Sequence, residues 1–321
     1  MNIVCTGSIA YDYLMTFPGL FKEHFLPDHL DKISLSFLVD SMVRVRGGVA
    51  PNIAYSLALL GGTPRLAATA GIDFEEYRAW LESKGVDTGA VKIIPGIYTA
   101  SFFATTDQSN AQLASFYPGA MAYAAEISLT ALPCGRPDLV IISPNDPRAM
   151  IAYADECRAA GIDYIYDPGQ NIIRMDGQDL RRGVEGALSL FVNEYEYELL
   201  QRRTGLKPED LIDRLKFMVV TCGERGAQIY VDGTVYQIPV VPPNEILDPT
   251  GVGDAFRGGF LTAYSRGWDW DICGKMGSLA ATYCLEQKGT QAHSYTLEEF
   301  TGRFRRHFDD RGVLDGLTQH L

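Results

Sequence analysis

The stretch Asp248-Pro249-Thr250-Gly251-Val252-Gly253-Asp254-Ala255-Phe256-Arg257-Gly258-Gly259-Phe260 decides how this chain of 321 residues folds. Its glycines precede small and apolar residues at helical spacing, which predicts a loop leading into a helix. The free N–H groups and the dipole at such a helix start favour an anion. Asp254 lies where that anion would bind, and a carboxylate there suits a base for a hydroxyl that attacks a phosphoryl group. Taken alone, the pattern also describes a turn with Asp254 as helix N-cap.

Around this motif, short apolar segments alternate with helix signals. Such alternation predicts a mostly parallel sheet covered on both faces, a three-layer α/β/α domain with ligands at the carboxyl ends of its strands. The segments 226–231 and 235–238, joined through Asp232-Gly233, predict a hairpin at one edge of the sheet. The other predicted strands are 2–8, 65–70, 139–143, 164–167, 188–193 and 217–221, and helices are predicted to begin at Pro51, Phe74, Pro147 and Glu194.

Two zones show instead the alternation of half-exposed strands. The first comprises 33–37 and 42–46, and the second comprises 98–105 and 112–117, which flank turn-forming residues at 107–110. We expect these zones to form one small sheet inserted into the main domain and lying over it as a lid. The chain, residues 1–321, is therefore predicted to be a single domain with lid segments at about 13–46 and 93–118.

Composition excludes several classes of protein. The chain is 46% hydrophobic with a formal charge of −12, so it can form a core but lacks the basic face of a nucleic-acid binder. No apolar run approaches a membrane span of about 20 residues, and the start lacks a signal-peptide pattern, so we expect a cytoplasmic protein without a membrane partner. Six scattered cysteines predict reduced thiols, and five histidines without ligand spacing argue against a histidine-held metal.

A second glycine-rich segment, Arg46-Gly47-Gly48-Val49-Ala50-Pro51-Asn52-Ile53-Ala54, follows the first zone. Together with the 248–260 segment it resembles the paired signatures of the PfkB (ribokinase-like) family of carbohydrate and nucleoside kinases. Three further segments resemble that family in the expected order: 7–12 with its aspartate, the N-x-x-E motif at 193–196 and the T-x-G-x-x-G turn at 221–226. The chain is identified as a member, which implies a ribokinase-like fold.

The resemblance also implies the site. Asp254 is the expected catalytic base, and the N–H groups of Gly251, Val252 and Gly253 are the expected anion hole. ATP is the implied phosphoryl donor. Mg²⁺ is implied as cofactor, held through water by Asn193 and Glu196. The other implied contacts are Asn193, Thr221, Gly223, Gly226, Gly251 and Gly253 for the nucleotide, and Ser8, Asp12, Gly48 and Asn52 for the hydroxyls of the acceptor.

The acceptor itself is less sharply indicated. Phe102 and Phe116 lie on lid strands, where they could clamp a flat base by stacking or pack the lid against the domain or a second lid. The segments 116–121 and 167–171 resemble bacterial adenosine kinases of the family. That resemblance favours transfer to the 5′-hydroxyl of adenosine to give AMP, a purine-salvage reaction, with Gln170 as a substrate contact and Arg174 as a phosphate contact.

Alternatives remain open at this point. A sugar kinase of the same family, acting on ribose, fructose or 2-keto-3-deoxygluconate, is the main one. The segment after Gly48 lacks the lysine that some sugar kinases carry, which disfavours a charged sugar phosphate. A non-catalytic ligand-binding protein on this fold is an alternative of another class. The resemblance further implies a homodimer through the lid, and a monovalent cation such as K⁺ near 248–250 and 289–290.

Overall fold

The structure is a computed structural model that describes residues 1–25, 35–133 and 135–318. Two classes of element alternate along the chain. The strands are β1 (Ile3–Thr6), β2 (Ala10–Thr16), β3 (Ser41–Gly47), β4 (Arg65–Ala67), β5 (Thr69–Ala70), β6 (Lys92–Ile93), β7 (Ala100–Thr106), β8 (Gln112–Tyr117), β9 (Leu139–Ile142), β10 (Asp163–Tyr166), β11 (Ser189–Asn193), β12 (Phe217–Thr221), β13 (Ala227–Val231) and β14 (Thr234–Ile238).

The helices follow most of the main-sheet strands, as the βα pattern predicts. They are α1 (Val49–Leu59), α2 (Glu75–Ser83), α3 (Pro147–Ala160), α4 (Gly177–Val184), α5 (Glu194–Thr204), α6 (Pro208–Arg214), α7 (Val252–Ser265), α8 (Trp270–Leu285), α9 (Leu297–His307) and α10 (Asp315–Thr318). None of the described helices is long and apolar enough to cross a lipid bilayer.

The main sheet has eight strands in the order β14-β13-β12-β11-β10-β9-β1-β4. Neighbouring strands from β12 to β4 run parallel, and β13 and β14 run antiparallel at one edge. The predicted edge hairpin is confirmed: Asp232 and Gly233 both take positive φ, 47° and 73°, which suits a two-residue turn between twisted strands.

Helices cover both faces of this sheet. Successive residues of β9 pack on opposite faces of the sheet. Ile141 packs in the core that includes residues of α1, α7 and α8, whereas Val140 packs in the core that includes residues of α3, α4 and α5. Each face thus has its own apolar core, and the three-layer α/β/α prediction is confirmed. The structure describes five of the six cysteines, and these five form no disulfide. Cys134 lies outside the described residues.

A separate four-stranded sheet, β3-β2-β7-β8, forms the lid. It begins earlier than expected: Ala10–Thr16 already pairs with β3 and β7, whereas the first lid segment is predicted from the sequence to begin at about residue 13. The cause is Gly7, whose φ of 151° ends the main-sheet strand before Ser8. Asp12 is therefore carried by the lid rather than by the main sheet.

Two other strand predictions need correction. Residues 65–70 do not form one strand, because β4 pairs with β1 while β5 pairs with β6 in a separate two-stranded sheet. The predicted strand 33–37 lies partly outside the described residues, and 35–37 form no strand. Phe37 instead packs edge-on against Phe17 and Phe21, with ring centroids 5.0 Å apart in both pairs.

Helices α1 and α7, which begin at the two glycine-rich segments, pack closely because Gly258 has no side chain. A Cβ at Gly258 would lie 2.6 Å from Ser56 Cβ and 2.9 Å from Ile53 O. Such distances are too short for non-bonded carbon atoms. The glycine thus sets how closely α1 and α7 approach each other.

Gly258→Ala and Gly302→Ala form a matched pair that tests this packing. A Cβ at Gly302, inside α9, would meet nothing within 4 Å. Both changes gain about 1 kcal/mol of helix propensity, but only Gly258→Ala adds an overpacking cost of about 1–3 kcal/mol. We expect the Tm in thermal unfolding to rise for Gly302→Ala and to fall for Gly258→Ala. Equal shifts would contradict the packing argument.

Candidate active site

The predicted site residues gather at the carboxyl edge of the main sheet. Ser8 follows β1, Asn193 ends β11 and Thr221 ends the neighbouring β12, where the two are paired in register. The first turns of α1 and α7 begin at this same edge. In parallel α/β sheets this edge is where ligands bind.

The loop before α7 leaves N–H groups ahead of the helix. Gly251 caps α7 in the left-handed conformation, with φ of 79°, and a Cβ there would lie 2.8 Å from Thr290 Cβ. The first bond of the helix ladder runs from Ala255 N to Gly251 O (2.9 Å). The N–H groups of Val252, Gly253 and Asp254 precede it and are available to an anion.

Asp254 is held by one oxygen. Its Oδ2 accepts a hydrogen bond from Asn52 Nδ2 at 2.8 Å. Asn52 is itself fixed, because its Oδ1 accepts from Gln291 Nε2 at 2.7 Å and Gln291 also donates to Tyr77 Oη at 2.6 Å. The Asn52 amide is therefore oriented with its donor towards the carboxylate. Among the described residues no hydrogen bond reaches Oδ1 of Asp254.

The charge state of Asp254 is perturbed. Burial raises the pKa of its carboxyl to about 7; Arg257 and the Asn52 hydrogen bond act to lower it, and Asp167 and Glu196 act to raise it. A carboxyl that titrates near neutrality is well matched to general-base chemistry.

The residues predicted to bind the acceptor lie around the start of the lid and of α1. Gly48 has φ of 99°, and a Cβ there would lie 2.4 Å from Ser8 O, so no other residue fits. Ser8 Oγ accepts from Val49 N at 3.3 Å. Burial, and then repulsion by Asp248, raise the pKa of the Asp12 carboxyl to about 6.

The lid places two aromatic rings beside Asp12. In the strand register Asp12 pairs with Phe102, and Phe102 pairs with Phe116, so the three side chains share one face of the sheet. Phe116 is 40% exposed. Gln170 is also exposed, on the 3₁₀ helix Gly169–Ile173 that follows β10.

The predicted nucleotide residues occupy the ends of β11 and β12. Asn193 and Glu196 form a capping box, in which Glu196 Oε2 accepts from Asn193 N and Asn193 Oδ1 accepts from Glu196 N, both at 2.8 Å. Thr221 leads into the 3₁₀ turn Gly223–Arg225, which is closed by a bond from Cys222 N to Gly226 O at 2.7 Å. Within the described residues, exposed Arg174 shares no hydrogen bond with this group.

The donor set fits a magnesium ion that is bound mainly by phosphate and water. The described residues contain no cluster of three or more His, Cys, Asp or Glu side chains placed to hold a metal. Glu196 and Asn193 together offer one carboxylate and one amide, which suits an ion that keeps several waters. Burial, together with the Asp167 charge, raises the pKa of the Glu196 carboxyl.

The two segments expected near a monovalent cation do meet. Asp248 Oδ2 accepts from Gly289 N at 3.0 Å, and Asp248 Oδ1 accepts from Thr250 N at 2.9 Å. Burial opposes ionisation of this carboxyl, but these hydrogen bonds outweigh burial and lower the pKa of Asp248.

Three polar residues of the site were missed in the sequence. Asp167 and Arg257 form a buried ion pair, with Nε and Oδ2 2.6 Å apart, and Gln291 orients Asn52. Two signals pointed to the ion pair: Arg257 stands one helical turn after Asp254, and Asp167 is the first polar residue after a buried strand. Gln291 gave no signal of its own, because its partner lies 239 residues away.

Comparisons with known proteins show the family of this chain. A profile described as pfkB family carbohydrate kinase matches residues 2–297, and the chain therefore belongs to that family. The ligand-free structure of Burkholderia thailandensis nucleoside kinase is 39% identical, with a TM-score of 0.86 over 94% of this chain and 99% of that chain. The Methanocaldococcus jannaschii nucleoside kinase is 28% identical over 95% of this chain and 97% of its own length. The fold is ribokinase-like.

The pKa of Asp254 predicts how Asp254→Asn changes stability. Because folding raises this pKa from 3.8 to about 7, the folded state binds more protons between those values and loses stability as pH rises through 7. The Asp254→Asn variant avoids that loss because its amide carries no charge, and its amide oxygen can still accept the hydrogen bond from Asn52 Nδ2. We expect the variant to have a higher Tm than the wild type at pH 8, with a smaller difference at pH 5. A pH-independent difference would contradict the shifted pKa.

Proposed function

We propose that this chain transfers the γ-phosphoryl group of ATP to the 5′-hydroxyl of a nucleoside, with adenosine as the acceptor and AMP and ADP as products. The observation that carries the proposal is the Asp254 carboxylate at the N-terminal turn of α7, whose Oδ1 accepts no hydrogen bond from the described residues. Relatives support a nucleoside as the acceptor, since the Burkholderia thailandensis nucleoside kinase is described in complex with inosine and in complex with ADP-inosine.

The chemistry follows from that placement. Asp254 takes the proton from the 5′-hydroxyl while the oxygen of that hydroxyl attacks the γ-phosphorus. The bond between that phosphorus and the β–γ bridging oxygen breaks, and its electron pair leaves with ADP. The N–H groups of Gly251, Val252 and Gly253 stabilise the negative charge on the transferred group, and because they are fixed before the reaction they need not reorganise.

Acceptor binding is assigned to groups on both sides of Asp254. Asp12 and Asn52 can pair with the donors and acceptors of the ribose cis-diol, and Ser8 and Gly48 form the adjoining wall. The apolar faces of Phe102 and Phe116 suit a purine base, and exposed Gln170 is the amide assigned to the edge of the base.

The nucleotide is assigned to Thr221, Gly223, Gly226 and Asn193, with Arg174 as a further phosphate contact. When bound, Mg²⁺ would neutralise phosphate charge, held through water by Asn193 and Glu196. The contact between Asp248 and Gly289 supports a monovalent cation such as K⁺ at that loop.

The lid also supports a homodimer. Its exposed apolar residues include Leu14 (43%), Met42 (62%) and Val43 (57%), which a second lid would cover. In sedimentation equilibrium we expect twice the chain mass of 35.4 kDa, and a monomer at micromolar concentration would contradict this part of the proposal.

Asp254→Asn tests the base directly. The amide cannot accept the proton, so kcat should fall by about 10²–10⁴-fold, while the similar shape keeps the fold. The measurement is ADP release with ATP, Mg²⁺ and adenosine, with circular dichroism as the control for folding. Turnover like that of the wild type would reject the mechanism.

A substrate panel tests the acceptor. We expect the highest kcat/KM for adenosine among adenosine, inosine, cytidine, ribose, fructose and 2-keto-3-deoxygluconate. A preference for a free sugar would reject the nucleoside assignment in favour of a sugar kinase. Binding of these compounds without ADP release would identify a non-catalytic ligand-binding protein.

Alanine substitutions in the lid test base stacking. Phe102→Ala and Phe116→Ala should each raise the KM for adenosine by about 5- to 150-fold, the equivalent of about 1–3 kcal/mol of stacking. Phe103→Ala is the matched control, because Phe103 is also on β7 but faces the other side and stacks on Tyr13 with centroids 4.8 Å apart. Equal effects at Phe102 and Phe103 would contradict a base clamp.

A further inference from the structure

Arg257 and Asp167 form a buried ion pair beneath the site. Only 7% of Arg257 and 1% of Asp167 is exposed. The contact is two-pronged, with Arg257 Nε 2.6 Å from Asp167 Oδ2 and Nη2 donating to Oδ1 at 2.7 Å. It joins α7 to the end of β10, two elements far apart in the chain.

The same guanidinium reaches the active-site loop. Arg257 Nη1 donates to Gly253 O at 2.8 Å. That carbonyl belongs to the peptide whose N–H is that of Asp254, so the guanidinium fixes the plane of a peptide at the start of α7. Each of the three guanidinium nitrogens thus lies against Asp167 or the loop.

Arg257 is also the cation among several acidic groups. The groups that face Asp254 come from four elements and one loop: Asn52 from α1, Arg257 from α7, Cys284 from α8, Glu196 from α5 and Asp167 after β10. Arg257 interacts with Asp167, Asp254 and Glu196. Its charge therefore offsets repulsion among three carboxylates that the fold brings to one place.

We propose that Arg257 and Asp167 are positioning residues for phosphoryl transfer: their ion pair fixes the Gly253–Asp254 peptide and balances the charge around the Asp254 carboxylate. This inference rests on the function proposed above. Stability alone does not account for the pair, because burying two charges costs several kcal/mol per ion, and apolar residues of similar volume are often as stable. The bond to Gly253 O gives the pair a role that apolar residues could not replace.

Two variants that break the same pair should move the pH profile in opposite directions. Arg257→Met removes the positive charge near Asp254, so Asp254 holds its proton to higher pH. Asp167→Asn removes a negative charge and retains an acceptor for Arg257, so Asp254 loses its proton at lower pH. We expect the acid limb of the pH profile of kcat/KM for adenosine to move to higher pH by about one unit in Arg257→Met and to lower pH in Asp167→Asn. At a pH below the limb, a shift of about one unit changes kcat/KM about tenfold.

The kcat and KM of the variants should also separate. Arg257→Met frees the Gly253–Asp254 peptide, so kcat at its pH optimum should fall by about 10–100-fold, whereas the KM for adenosine should stay within about twofold. Arg257→Lys keeps the charge but not the two-pronged contact, so its acid limb should stay near that of the wild type. If Arg257→Met does not fold, Asp167→Asn and Arg257→Lys still decide the question.

Titration without turnover separates this inference from the proposed function. Infrared difference spectra across pH report the carboxyl C=O stretch of Asp254, identified as the signal that is lost in Asp254→Asn. Opposite shifts of that signal in Arg257→Met and Asp167→Asn support the charge balance even if another acceptor is the substrate. Unshifted or same-direction titrations in both variants would overturn the inference, whereas an active Asp254→Asn enzyme would overturn the proposed function.

Discussion

The carboxylate of Asp254 at the amino end of α7 is the constraint around which the site is organised. A helix start favours negative charge, yet burial raises the pKa of this carboxyl to about 7. The two influences oppose each other, and the neighbours of Asp254 adjust the balance. Asn52 holds one oxygen from α1, and Arg257 supplies a compensating charge from within α7. The Asn52 contact joins the two helices, so it depends on the close approach of α1 and α7 at Gly258.

The net charge of −12 does not conflict with an anionic substrate. At this site the groups offered to an anion are backbone N–H groups at the start of α7, and the buried guanidinium of Arg257 is already paired. Recognition by N–H groups needs no surface cluster of lysines. The negative net charge therefore disfavours binding of nucleic acid, which needs a basic face, but it carries no information about a nucleotide bound in this way.

Sequence reasoning predicted those features that local patterns determine. The βα alternation gave the parallel sheet, the glycines at 251 and 253 gave the loop before α7, and N-x-x-E gave a pair that forms a capping box. The rest depends on contacts between distant residues. Gln291 meets Asn52 across 239 residues, and Arg257 meets Asp167 across 90. The early start of the lid was missed because a single glycine conformation, that of Gly7, separates β1 from β2.

The central claim is that Asp254 activates a primary hydroxyl of a nucleoside for attack on ATP. The most direct measurement is the proton-coupled ³¹P NMR spectrum of the enzyme with ATP, Mg²⁺ and adenosine. We expect a new monophosphate resonance, split by coupling to the two 5′-methylene protons, that grows together with ADP and grows at least about 100-fold more slowly with Asp254→Asn. Growth of inorganic phosphate alone, or of a resonance coupled to a single proton of a secondary carbon, would contradict it.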